Sequence, residues 1–176
     1  MNPWPDLRPI LKGIDWVIVG GVATRAYMPE RMTKDLDILV HQRDGEAVIA
    51  KLKDAGYRIE SRLAIPGILM LSPEGVEVDV LYGEYPWLGK ALKHPAKDSA
   101  GYPVIALPYL IILKMNAQRT RDMGDLGTML GWASDADLDE VRAVVAQYAP
   151  EDLEDLEALI FIGKRERELP PDSREG

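Results

Sequence analysis

The chain has 176 residues, of which 47% are hydrophobic and 28% charged, and it carries a formal net charge of −8. That length suits one globular domain, alone or with a small helical appendage. It holds no cysteine and two histidines, His41 and His94, so disulfides, thiolate sites and a zinc centre drop out, and any metal is expected to be a hard ion on carboxylates.

The charge is uneven. Residues 1–130 hold 16 Lys/Arg against 16 Asp/Glu, whereas residues 131–176 hold 5 against 13. The acidic surplus therefore belongs to the C-terminal part, and no broad phosphate-tracking basic stripe is evident. The opening MNPWPDLRPI contains three prolines and no apolar core, unlike a signal peptide. The longest apolar run, 104–113, is ten residues broken by Pro108, too short to span a bilayer. A cytoplasmic protein without membrane contact is expected.

Taken in order, residues 6–12 suit a short helix. Trp16 to Val19 reads as a buried strand stopped by Gly20-Gly21. Val22 to Tyr27 reads as a helix cut off before Pro29. Asp35 to Val40 alternates and reads as a second strand, with Asp35 and Asp37 on one face. Gly45 to Ala55 has helical spacing and ends at Gly56. Strands follow at 57–63, 68–71 and 76–81, the last two joined as a hairpin by Ser72-Pro73-Glu74-Gly75. Residues 83–103 read as a loop with a short helix near Trp87–Leu92. Helical patterns cover 108–118, 122–132, 138–148 and 151–162. The expected class is α/β (α+β): a small mixed β-sheet with helices on one side, followed by C-terminal helices. The expected organisation is an α/β core over 1–106, a helical segment over 107–163 and a frayed tail over 164–176.

Two carboxylates on one strand face repel one another unless a cation lies between them. Asp79, at an alternating position in Val76–Leu81, joins Asp35 and Asp37 if the two strands are neighbours. Three carboxylates so placed can hold two divalent ions for in-line phosphoryl transfer. Gly20-Gly21, between strand and helix, offers free N–H groups to a phosphate with no side chain in the way.

This set resembles the nucleotidyltransferase superfamily of the DNA polymerase β type. That family has a glycine pair, often Gly-Ser, then a short helix, Asp-x-Asp on a strand and a third Asp on a later strand. GGVATRAYMPERMTKDLDILV, with Arg31-x-Thr33-x-Asp35-x-Asp37, is similar to the subset of AbiEii-type abortive-infection toxins and small aminoglycoside nucleotidyltransferases. LPYLIILKMNAQRTRDMGDL looks like the AbiEii-type helix bearing Lys, Ala and an Arg–Asp cluster, here Lys114, Ala117, Arg119, Arg121, Asp122 and Asp125. The resemblance spans about residues 14–131. Gly21 stands where the family usually has a serine, so a phosphate would be gripped by backbone N–H groups, with Thr24 or Arg25 beside them.

The resemblance implies a nucleotidyltransferase fold and transfer of an NMP from an NTP, ATP among them, to an acceptor hydroxyl with pyrophosphate release. Asp35, Asp37 and Asp79 would be catalytic and bind two Mg²⁺ ions, Asp79 doubling as base. Gly20, Gly21, Thr24, Lys114 and Arg121 would bind the nucleotide. The acceptor would be tRNA or protein, as for a toxin paired with an antitoxin. An antibiotic acceptor and an inactive antitoxin-like binding domain are the alternatives, and a cognate antitoxin or a second copy of the chain are the expected partners. Arg31 and Thr33 either brace the loop or serve the site. Lys114 either snorkels to solvent or reaches phosphate, and Arg119 and Arg121 either pair with Asp122 and Asp125 or touch substrate. Tyr82, Tyr85, Trp87 and Trp132 are core or rim residues before they are base-stacking platforms.

Overall fold

A computed structural model describes residues 4–117 and 120–169. Its contacts divide the chain into two units. One takes the N-terminal part up to Ala26 together with Glu30–Ala106. The other takes Tyr27–Pro29 and the described residues from Leu107 on.

The first unit is built on a seven-stranded mixed sheet whose strands, from one edge to the other, are β3 (Arg58–Arg62), β4 (Gly67–Leu71), β5 (Glu77–Gly83), β2 (Asp35–His41), β1 (Trp16–Val19), β7 (Pro103–Val104) and β6 (Ala96–Lys97). Strand β1 (Trp16–Val19) is buried along its whole length, as its apolar run demands. It pairs antiparallel with β2 (Asp35–His41) and parallel with β7 (Pro103–Val104). Strand β5 (Glu77–Gly83) runs parallel to β2 on its other side. Beyond it lie β4 (Gly67–Leu71) and the edge strand β3 (Arg58–Arg62), both antiparallel. The alternation read in the sequence follows the pleat. Leu36, Ile38, Val78 and Val80 are fully or almost fully buried, while Asp35, Asp37 and Asp79 lie half-buried on the opposite face. Helix α2 (Gly45–Asp54) buries Val48 and Leu52, and Gly56 follows it at φ +89°, a left-handed position that ends the helix.

Four expectations need correction. Residues 6–12 form turns rather than a helix; Leu7 and Leu11 are buried, and Leu11 N–H donates to the Leu7 carbonyl at 2.8 Å. The helix expected over 22–27 is instead α1 (Gly20–Ala23), which starts at the diglycine and tightens into a 3₁₀ turn at Thr24–Ala26. The stretch 83–103 holds α3 (Leu88–Lys93) and also two short strands, β6 (Ala96–Lys97) and β7, which the sheet recruits at its edge. Two-residue strands have no periodicity to read; Ile18 supplies β7 with its partner across the sheet.

Tyr57, 5% exposed between α2 and β3, has its phenol pushed up from 10.0 to about 12, by burial first and then by Glu74. The folded state then holds a proton that the unfolded chain has already lost, so stability falls as pH rises from about 10 to about 12. Alkaline melting of Tyr57→Phe should therefore be shallower than that of the wild type over this interval. Identical slopes would refute the assignment.

The second unit is helical. Helix α4 (Leu107–Ala117) is apolar almost all round and largely buried, the pattern of a core helix. Helix α5 (Thr120–Trp132) and helix α7 (Leu153–Glu168) cross at glycines. A Cβ on Gly131 would lie 2.8 Å from the Gly163 carbonyl carbon, and one on Gly163 would lie 3.0 Å from the Gly131 nitrogen. Backbone on backbone is what the missing side chains allow. Helix α6 (Asp135–Tyr148) begins with a capping box: Asp137 N–H donates to Ser134 Oγ, and Ser134 N–H donates to Asp137 Oδ2, each at 3.1 Å. The fourth correction is at the end of the chain, where helix α7 runs on to Glu168 through charged residues expected to belong to the tail. No described helix is long and apolar enough to cross a membrane.

Candidate active site

The register of β2 and β5 decides the site. The two strands run parallel with Asp37 opposite Asp79 and Asp35 opposite Glu77. Asp35 and Asp37 share a face because they are two residues apart on one strand. One carboxylate oxygen from each of Asp35, Asp37 and Asp79 lies within 4.8 Å of the other two. Three acids at that spacing are mutually unfavourable without a cation. The Asp79 carboxyl is pushed above its usual range by burial first, then by Asp35 and Glu77. All three donors are hard oxygens, and neither His nor Cys joins them, which suits Mg²⁺ or Mn²⁺ and not zinc.

The diglycine does more than turn the chain. Gly20 sits at φ +64° immediately after β1, whose Val19 lies opposite Asp37. A Cβ on Gly20 would stand 2.7 Å from Asp37 Cγ. A Cβ on Gly21 would stand 2.8 Å from Thr33 Oγ1 and 3.2 Å from Arg31 Nη2. The space that two side chains would take is filled by the Asp37 carboxylate and by the loop leading into β2. Close approach of the chain to itself is thus one reason for both glycines, beside the expected approach to a phosphate. Thr33 Oγ1 donates to Asp35 Oδ1 at 3.2 Å, which orients that carboxylate.

The other expected site residues lie as follows. Thr24 is 1% exposed and its hydroxyl donates to the Gly21 carbonyl at 2.7 Å, so it ties the turn from inside. Arg25 is held by Asp98 through Nε at 2.9 Å and through Nη2. Asp98 also accepts the N–H groups of Ala100 and Tyr102, each at 2.9 Å. This brace between the turn and the 98–102 loop escaped the sequence reading; its sole local signal is an Asp ahead of Ser-Ala-Gly. Lys114, in the helical unit, is 4% exposed, with Nζ 2.9 Å from Asp122 Oδ1 and 2.8 Å from Asp125 Oδ2. It does not snorkel to solvent: it sits between two buried acids. Arg121 is exposed. Arg119 lies outside the described residues.

Among the aromatics, Trp87 is buried and stacks on Tyr85 with centroids 4.7 Å apart, and the Tyr82 ring fills the place of a side chain on Gly45. Trp132 is exposed, under the Arg167 guanidinium at 4.5 Å.

Neither a known protein family nor a curated protein matches the sequence. Among solved structures, the chain is similar to ANT(2'')-Ia in complex with adenylyl-2''-tobramycin, with 18% identity over 90% of this chain and 91% of that one, at a TM-score of 0.48. The lincosamide antibiotic adenylyltransferase LnuA, lincomycin-bound, gives 16% identity over 79% and 90% at a TM-score of 0.48. The solution structure of the antibiotic-resistance factor ANT(2'')-Ia gives 15% over 89% and 84%, at 0.46. Likeness of this degree does not assign a reaction; the chemistry of the site has to do so.

Proposed function

We propose that the chain is a metal-dependent nucleotidyltransferase that moves an NMP from an NTP to an acceptor hydroxyl and releases pyrophosphate. The observation that carries this reading is the cluster of Asp35, Asp37 and Asp79, seated against a glycine turn on adjacent parallel strands. Asp35 and Asp37 would hold two Mg²⁺ ions, with Asp79 on one of them. Bound there, the ions would neutralise the triphosphate and orient the reacting oxygens. The protein's own contributions are distinct. Thr33 fixes the direction of Asp35. Asp79 would take the proton of the acceptor hydroxyl. The backbone at Gly20 and Gly21 lines the phosphate side, and Thr24 keeps that turn closed from beneath. Arg121, in the helical unit, is exposed, as a nucleotide contact would require.

Two acceptor classes rest on different observations. A toxin-like role on tRNA or protein, with an antitoxin as partner, rests on the Lys114–Arg121–Asp122–Asp125 pattern. A cationic, antibiotic-type acceptor is favoured by the acidic surplus of residues 131–176, which attracts positive charge and repels a phosphate backbone. Salt-sensitive tRNA binding would select the first.

Calorimetry with each of the four NTPs, with and without Mg²⁺, tests the reading. The expected result is binding that requires the metal. No binding of any NTP in Mg²⁺ would overturn the enzyme and leave a binding domain.

A further inference from the structure

We infer that Arg31 is the cationic contact for the polyphosphate of the nucleotide; this rests on the transferase reading above. The period-two alternation of β2 continues backward into the loop that feeds it. Glu30, Met32 and Lys34 are exposed, Met32 to 93%, while Arg31, Thr33, Asp35 and Asp37 are all half-buried. The odd-numbered residues therefore form one row. It runs from the two ligands Asp37 and Asp35, through Thr33 bonded to Asp35, to Arg31 against Gly21. Arg31 Nη1 also donates to the Met32 carbonyl at 3.2 Å, which bends the guanidinium back over its own loop. Nη2 stands 3.2 Å from where a Gly21 Cβ would be, beside the turn whose preceding glycine receives the Asp37 carboxylate.

Charge explains why a cation belongs there. Two divalent ions set against three carboxylates leave a single positive charge, and an NTP brings several negative ones. Lys34, the next cation along the chain, is on the outward row. A guanidinium can fork across two phosphate oxygens, which an ammonium cannot, so Arg and Lys should differ at this position.

The test uses the full chain with Arg31→Gln and Arg31→Lys, each first shown to melt as the wild type does. Mn²⁺ alone, magnesium tripolyphosphate and each NTP with Mg²⁺ are titrated separately. Arg31→Gln should weaken tripolyphosphate and NTP by the same factor, about 10- to 100-fold. Arg31→Lys should fall between, and Mn²⁺ should bind all three proteins equally. Three results overturn the inference alone: NTP affinity unchanged in Arg31→Gln, loss of NTP with tripolyphosphate retained, or loss of Mn²⁺ in step with NTP. A wild type that binds Mn²⁺ but no NTP overturns the transferase reading, and the inference with it.

Discussion

Asp35→Asn combined with Asp37→Asn is expected to abolish metal-dependent nucleotide binding while leaving the chain folded. Both substitutions keep the shape and remove charge, and the amide oxygen introduced at position 35 can still accept the Thr33 hydroxyl. Removing mere outer partners of a metal ligand already costs about 10–100-fold in affinity, so losing two of three ligands should exceed that. The fold should tolerate the change because the wild-type cluster is itself unfavourable without a cation: Asp79 is raised partly by Asp35, and that push disappears. Thermal melting in EDTA should thus differ little between the two proteins. Added Mn²⁺ should raise the wild-type melting temperature and not the variant's. A variant that still binds NTP better with Mg²⁺ than without would show that the carboxylates are not the metal site.

Lys114→Met is expected to have the largest effect on stability. The ammonium is buried between Asp122 and Asp125, which are 2% and 4% exposed. Methionine matches the length of the stem and removes the charge, leaving two buried acids without that partner. Breaking a buried ion cluster in this way typically costs about 3–5 kcal/mol, or roughly 6–20 °C in melting temperature. Converting Asp122 and Asp125 to Leu in the same chain should recover much of the loss, because a fully apolar replacement can be near neutral. If Lys114→Met melts within a few degrees of the wild type, the lysine is not what balances these acids. Measured well below its melting point, the variant's NTP affinity also separates a structural lysine from the phosphate contact that the family resemblance implies.

Much of the architecture was legible because it is periodic. The Asp-Leu-Asp-Ile run and the Val-Glu-Val-Asp run announced half-buried strands with carboxylates on one side, and the apolar Trp16–Val19 announced a buried one. Chain-local chemistry also showed in the stop at Gly56 and the 72–75 hairpin turn. That β2 and β5 lie side by side was a conditional expectation, since nothing local states which strands become neighbours, and their parallel direction came only from the fold. Strands β6 and β7 were invisible: two residues carry no period, and their pairing depends on β1, more than eighty residues earlier.

For the site, the sequence by itself determined which residues could matter: two acids in alternation, a third on another strand, and a glycine pair before them. Only the tertiary structure decided how they meet. It brought three oxygens within 4.8 Å, set Asp37 into the space above Gly20, and placed Arg31 and Thr33 over Gly21. It also enclosed Lys114 between two acids and tied Arg25 to an aspartate seventy-three residues away. The physical reason is the reach of the interactions. Periodicity and turn chemistry act over a few residues and are written in local order. Electrostatic partners and side-chain space are set by distance in the fold, which local order does not encode.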